Sequence, residues 1–377
     1  MTEPFDDDEF ETGGSTDGAG DAASLLPREN PILVGQEMAE ATLLQSYNSG
    51  RLAHAWLLTG PRGIGKATLA FRFARFLFAR AAEAPGLFGA PPLSLAVDPS
   101  HPAFRRVAAG GHADLVVVER GYDPKRKRRR GEIVVEDVRA LIDFLHLTPA
   151  EGGWRIVIVD GADEMNRNAA NALLKILEEP SQHALLLITA TSAGRLPPTI
   201  RSRCRPLRLG LLSETQIADL LRKSGVSLAP DAMRAVVRLA EGSIGRALDL
   251  AGANTANLYG DLNTLLSSLP AYDIETLHRF ADRCARSDGE DSFRLVAELL
   301  PGWIARMVAR AAGTDGIGAV IAGEGDAMAR LASRRGLDRW VEVWEKLNRL
   351  FALADGVNLD RKQVVLSAFF ELEQASR

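Results

Sequence analysis

Between about residues 31 and 209, short continuous apolar runs alternate with segments whose apolar residues recur every three or four positions. The runs at 55–58, 115–118, 156–159 and 184–188 show no polar alternation, the pattern of strands covered on both faces. Residues 66–80, with Leu69, Phe73, Phe76 and Leu77 at helical spacing, and residues 169–177 predict helices between them. A further short strand is expected at 133–135. Strands alternating with helices imply an α/β domain with a parallel sheet and flanking helices. Beyond residue 211, Ser213 and Gln216 read as a capping box for a helix over 216–223, and a second helix over 231–240 stops at Gly242. After about residue 254 the strand signal ends. Leu295, Leu299, Trp303 and Met307, then Trp340, Trp344, Leu347 and Phe351, keep helical spacing and predict an all-α bundle. The expected division is an acidic tail at 1–27, an α/β domain at 28–209, a small helical domain at 210–253 and a helical domain at 254–377.

Composition sharpens this picture. A chain of 377 residues, 46% of them hydrophobic and 25% charged, has enough apolar surface for two or three cores. No apolar run approaches the ~20 residues that cross a bilayer. The start of the chain carries acids where a secretory leader would be basic and then apolar. Two cysteines, Cys204 and Cys284, are too few for a disulfide framework or a four-thiolate zinc site. A cytoplasmic protein is expected, without a membrane partner and without zinc. The net charge of −4 hides a division: residues 1–27 hold eight acids and no Lys or Arg, so the remainder is +4. That acidic, Gly-rich stretch is too poor in apolar residues to offset its ordering entropy and predicts a disordered tail. Six consecutive cations at 125–130 either touch nucleic-acid phosphates, with counterion release, or form the solvated tip of a connection.

The chemistry concentrates at Gly60, Pro61, Arg62, Gly63, Ile64, Gly65 and Lys66, a GxxxxGK phosphate loop between a predicted strand and a predicted helix. Its glycines let backbone N–H groups curl round phosphates, and the lysine and helix start add positive potential. The hydroxyl that should follow the lysine and ligate Mg²⁺ is missing. Ala67 stands there and Thr68 comes one residue late, about 100° further round the helix and turned away from a metal. The run 155–159 ends in Asp160, placed to hold Mg²⁺, but Gly161 stands where a catalytic glutamate would follow. Asp163 and Glu164 could replace it only along a different backbone path. ATP and Mg²⁺ are therefore expected to be at most weakly bound: the loop either retains weak nucleotide binding or survives as packing, and ATP hydrolysis by the chain alone is not expected.

Residues 171–180 read NALLKILEEP, and Ser202, Arg203 and Cys204 follow as SRC. With Val34, Gly35, Gln36, His54 and Ala55, these motifs resemble the bacterial clamp-loader family of AAA+ proteins over roughly residues 30–250. Residues 358–363, NLDRKQ, are similar to the collar of its delta-prime members. The resemblance implies a AAA+-like P-loop domain, a helical lid at 210–253 and an oligomerising collar at 254–377. It implies a place among DNA polymerase III subunits, a nucleotidyltransferase holoenzyme, with motor and delta-type partners in a hetero-oligomer that loads the sliding clamp on primed DNA. Missing Mg²⁺ and glutamate groups, and Gly245 in place of a sensor arginine with Arg246 beside it, favour the non-motor delta-prime type. The alternatives are the ATP-hydrolysing gamma/tau motor and another AAA+ DNA-remodelling ATPase, for which Lys66 and Asp160 argue. Some relatives carry a four-cysteine zinc module, but residues 81–113 contain no cysteine and no zinc is expected.

Within the family the SRC arginine reaches a neighbouring subunit's ATP. That makes Arg203, flanked by Ser202 and Cys204, the expected catalytic contribution in trans, unless Arg201, Arg203 and Arg205 serve only docking. Cys204 reads as packing rather than as a nucleophile. Thr191 falls at the family's sensor position or simply ends its strand. The degenerate nucleotide site is therefore expected at Gly60, Gly63, Gly65, Lys66, Thr68, Asp160 and Thr191, with no metal ligands.

Overall fold

The computed structural model describes residues 26–82, 91–123, 128–151, 153–252, 255–286, 290–314, 318–357 and 359–377. Five strands form the main sheet: β1 (Ala55–Thr59), β2 (Leu115–Val118), β5 (Arg155–Val159), β6 (Ala184–Ala190) and β7 (Arg205–Arg208). Two short strands, β3 (Tyr122–Asp123) and β4 (Arg128–Arg129), pair antiparallel as a separate ribbon. The main order is β2-β5-β6-β1-β7 with every pairing parallel. β6 is central and all seven of its residues are buried, which is why its sequence shows no polar alternation.

The helices around the sheet are α1 (Glu37–Asn48), α2 (Lys66–Ala82), α3 (Pro102–Ala108), α4 (Val135–His146), α5 (Arg167–Glu178) and the single turn α6 (Pro198–Arg201). Alternate strand residues feed two cores. Trp56, Leu58, Ile156 and Leu187 pack with α1, α2 and α3 on one face. Leu57, Val157, Leu186 and Ile188 pack with α4 and α5 on the other. The parallel sheet with helical layers thus stands as the apolar runs imply.

One expected strand is wrong. Val135 opens α4, and only Ile133 keeps an extended contact, an isolated bridge to Met165. Val138, Leu141 and Leu145 are the buried stripe of that helix, and the Asp137 carboxylate accepts the Val134 N–H at 3.1 Å to start it. The β-branched run at 133–135 is ambiguous by propensity, and tertiary packing decides it. Of the basic run 125–130, residues 125–127 lie outside the described residues. Arg128 and Arg129 form β4, and Arg130 lies 3.8 Å from Asp137.

A lid follows as α7 (Glu214–Lys223), α8 (Pro230–Leu239) and α9 (Ile244–Gly252). The Ser213 capping box is present, with Gln216 N–H donating to Ser213 Oγ at 3.2 Å and Ser213 N–H to Gln216 Oε1 at 2.9 Å. Then come α10 (Thr255–Ser268), α11 (Ile274–Ala285), α12 (Glu290–Ala311), α13 (Glu324–Arg334), α14 (Leu337–Val357) and α15 (Arg361–Ser376). Their buried side chains, Trp303 and Trp340 among them, run without a break into those of the lid. In the 358–363 motif, Asp360 caps α15 through the Gln363 N–H at 2.9 Å and Lys362 pairs with Asp282. Residue 358 is outside the described set, as is nearly all of the acidic tail, residues 1–25.

Candidate functional site

The C-terminal ends of β1, β5 and β6 converge beneath the lid, where α/β sheets place their ligands. A cavity of about 480 Å³ opens there, walled by Lys66 and Asp160 from the sheet side, Ile32 from the N-terminal arm, and Leu212 and Leu248 from the lid. The arm is tied down from below: Arg75, buried under it, donates to the carbonyls of Arg28 (3.1 Å) and Asn30 (2.8 Å). Gln36 joins loop and lid entrance, donating to Ile64 O (3.2 Å) and Gly210 O (2.9 Å) while accepting the Gly210 N–H at 3.1 Å.

Gly60, Gly63 and Gly65 have φ of 145°, 76° and 99°, values that exact glycine from the phosphate loop. Lys66 Nζ turns back onto that loop, donating to Gly60 O at 2.8 Å and Pro61 O at 2.7 Å. Burial pulls the Lys66 ammonium below the usual lysine range, with Asp160 and Asp163 opposing the shift. Ala67 and Thr68 both line the cavity.

The lid sits directly on the loop. Ser243 Oγ donates to Arg62 O at 2.7 Å, and the Gly245 N–H to Gly63 O at 2.9 Å. A Cβ on Gly245 would stand 2.7 Å from Gly63 Cα, and one on Gly63 would stand 2.5 Å from Ser243 Oγ. Arg246 points elsewhere, pairing with Glu241 (3.0 Å) and with Glu298 of α12 (2.7 Å). It cannot stand in for a sensor arginine from that position.

On the acidic side, Asp160 Oδ1 accepts the Thr189 hydroxyl at 2.6 Å, and the same Thr189 oxygen accepts the Gly161 N–H at 2.9 Å. Thr191 instead donates its N–H and hydroxyl to Asp163. Thr189 is thus the residue that sequence reasoning missed. Its signal was a buried hydroxyl at the end of an apolar strand, which needs a partner. Glu164 reaches within 3.0 Å of where a Gly161 Cβ would stand, but Arg120 holds it at 2.8 Å. These groups suit the phosphates or base of a nucleotide. They do not fit hydrolytic Mg²⁺–ATP chemistry: residue 67 has no hydroxyl, residue 161 has no carboxylate, and Lys66 is satisfied by carbonyls. Among the described residues no three His, Cys, Asp or Glu converge on a metal position.

Ser202, Arg203 and Cys204 do not line this cavity. They follow α6, where Ser202 Oγ (3.1 Å) and Arg203 Nη1 (3.0 Å) share the Thr199 carbonyl. Arg203 Nη2 pairs with Glu178 at 2.9 Å. The three arginines are not equivalent. Arg205 is exposed but lies 4.8 Å over the Trp56 ring and reaches Ser46, Arg203 is half-buried, and Arg201 is exposed. Cys204 is buried, and burial pushes its thiol up to about 11.

A parallel sheet in this order, with a glycine-rich phosphate loop after β1 and a helical lid over it, defines a P-loop protein of the AAA+ class. A family model described as DNA polymerase III, delta subunit, matches residues 35–213. Subunit tau of Escherichia coli K12 is 29% identical over 283 residues, 74% of this chain and 41% of that protein. Subunit gamma of a Buchnera aphidicola strain is 28% identical over 233 residues, 61% of this chain and 59% of its own length. Subunit delta' of Pseudomonas aeruginosa is 41% identical over 152 residues, 40% of this chain and 42% of the relative. The matches to these relatives therefore span 41% to 59% of their lengths. A gamma-subunit-related protein of Thermotoga maritima superposes with a TM-score of 0.39 at 18% identity, over 89% of this chain and all of that one. Over residues 35–213 and in these partial alignments, the chain is similar to delta, tau and gamma subunits of bacterial DNA polymerase III.

Proposed function

We propose that this chain is the delta-prime-type, non-motor subunit of a clamp loader in the cytoplasm. It assembles with motor and delta-type subunits into a hetero-oligomer that loads the sliding clamp on primed DNA, as part of a nucleotidyltransferase holoenzyme. The observation that carries the reading is the disarmed cavity: a phosphate loop whose lysine serves its own carbonyls, under a lid resting on Gly63, with neither the metal hydroxyl nor the catalytic glutamate. The subunit's contribution to catalysis is then Arg203, outside its own cavity, offered to ATP on a neighbour. A planar, permanently charged fork suits that task.

The motor reading draws on the longer gamma and tau matches and on the retained Lys66 and Asp160. An ATPase assay on the isolated chain, with and without Mg²⁺, separates the two. The proposed function predicts no turnover; Mg²⁺-dependent turnover lost in Lys66→Ala would install the motor reading.

A further inference from the structure

Arg203 does not wave freely at the surface. Its side chain is about one-third exposed, and two of its nitrogens are already engaged inside the chain. Nη2 meets Glu178 Oε1 at 2.9 Å, at the last residue of α5, and Nη1 donates to Thr199 O at 3.0 Å, inside α6. Neither contact uses Nε. The carboxylate and the carbonyl come from different elements, so together they set the plane of the guanidinium and not merely its distance.

We propose that Glu178 is a positioning residue for Arg203, its carboxylate holding the guanidinium in the orientation in which it meets a phosphate on the neighbouring subunit. The inference rests on Arg203 acting in trans, as proposed above. The physical case turns on magnitude. The Glu178 side chain is half exposed, and a solvent-exposed pair of this kind shifts an equilibrium by about 5-fold at most. That is too weak to restrain an arginine drawn by a phosphate carrying more than one negative charge. It is enough to bias rotamers in a long side chain that otherwise loses much freedom on engagement. Weak pairing of this size favours orientation over inhibition. Glu178 touches neither substrate nor cofactor in this account, and acts only through Arg203.

The test uses the complete loader, reconstituted with its own motor and delta-type partners, clamp and primed DNA. Five versions of this chain are compared: unaltered, Arg203→Ala, Glu178→Ala, Glu178→Gln and the double variant Arg203→Ala with Glu178→Ala. Assembly is checked by size-exclusion chromatography before ATPase is measured. The expected result is a fall of about 2–5-fold in kcat for Glu178→Ala, with KM for ATP and assembly unchanged. Glu178→Gln should recover most of the loss, because its amide oxygen can accept the same Nη2–H. The double variant Arg203→Ala with Glu178→Ala should be no slower than Arg203→Ala alone. An unchanged kcat in Glu178→Ala, beside a slowed Arg203→Ala, overturns the positioning role and leaves the finger intact. A raised kcat also overturns it, since the carboxylate would then be a restraint. Full activity in correctly assembled Arg203→Ala overturns the in-trans reading itself.

Discussion

At Lys66 an arriving phosphate would have to win the ammonium from two carbonyls that it already serves. That predicts a structural role separable from any ligand. Lys66→Ala should destabilise the isolated chain by about 1–3 kcal/mol, the cost of leaving buried acceptors unpaired, as read from a urea midpoint without nucleotide. A lysine kept only for phosphate would cost little. The two thiols make a second prediction at this scale. Burial holds Cys204 and Cys284 at about 11, above the roughly 8.5 of a free thiol. Because the folded values are the raised ones, this contribution to stability is complete below about pH 8.5 and is lost as pH rises towards 11. Stability should therefore decline across that window, less steeply in a double Cys→Ala variant, and Ellman's reagent should label neither thiol at neutral pH until the chain is unfolded. The sequence alone exposed the substitutions Ala67 and Gly161, because a motif displays what it lacks. It did not reveal that Asp160 bonds Thr189 and not Thr191, since both threonines stand near the end of one strand and only the turn geometry chooses between them.

Among the elements, the buried strands were legible because a strand covered on both faces cannot hide its apolar run. Helix α4 was not, although Val138, Leu141 and Leu145 carry a helical stripe. Its opening valines look like a strand, and only contact with α5 and β2 resolves them. Capping was legible at Ser213, where Ser213→Ala should cost about 1 kcal/mol in thermal or urea unfolding. The close approach of α9 to the phosphate loop left only glycines at 63 and 245 as its trace. Gly245→Ala should cost about 1–3 kcal/mol, because the added methyl meets backbone and not a side chain that can turn aside. A neutral outcome in urea unfolding would show that the lid lifts freely.

Across the whole molecule, the lid shares its core with the helices that follow and is also joined to α12 through Arg246 and Glu298. The lid should therefore unfold with α10–α15. Amide exchange should show the protection of Leu221 and Leu250 falling together with that of Trp303. The described chain is anchored from its first turns, where Arg75 and Arg72 grip the carbonyls of Arg28, Asn30 and Pro31. Removal of residues 1–25 should leave the melting temperature unchanged while carrying the net charge from −4 to +4. Cation-exchange retention at neutral pH checks the second statement.

The meeting of Gly63 with Gly245 also constrains the order in which this protein could be changed into something else. A threonine at 67 and a glutamate at 161 would supply missing groups to a cavity whose roof still rests on its floor, and an arginine at 245 could not be added without driving that roof away. On the non-motor reading proposed above, a route towards an ATP-driven subunit would begin by lengthening or loosening the turn at Gly242 and Ser243. Before that step, gains at the other two positions have nothing to act on, and a stepwise selection for hydrolysis would find no slope to climb.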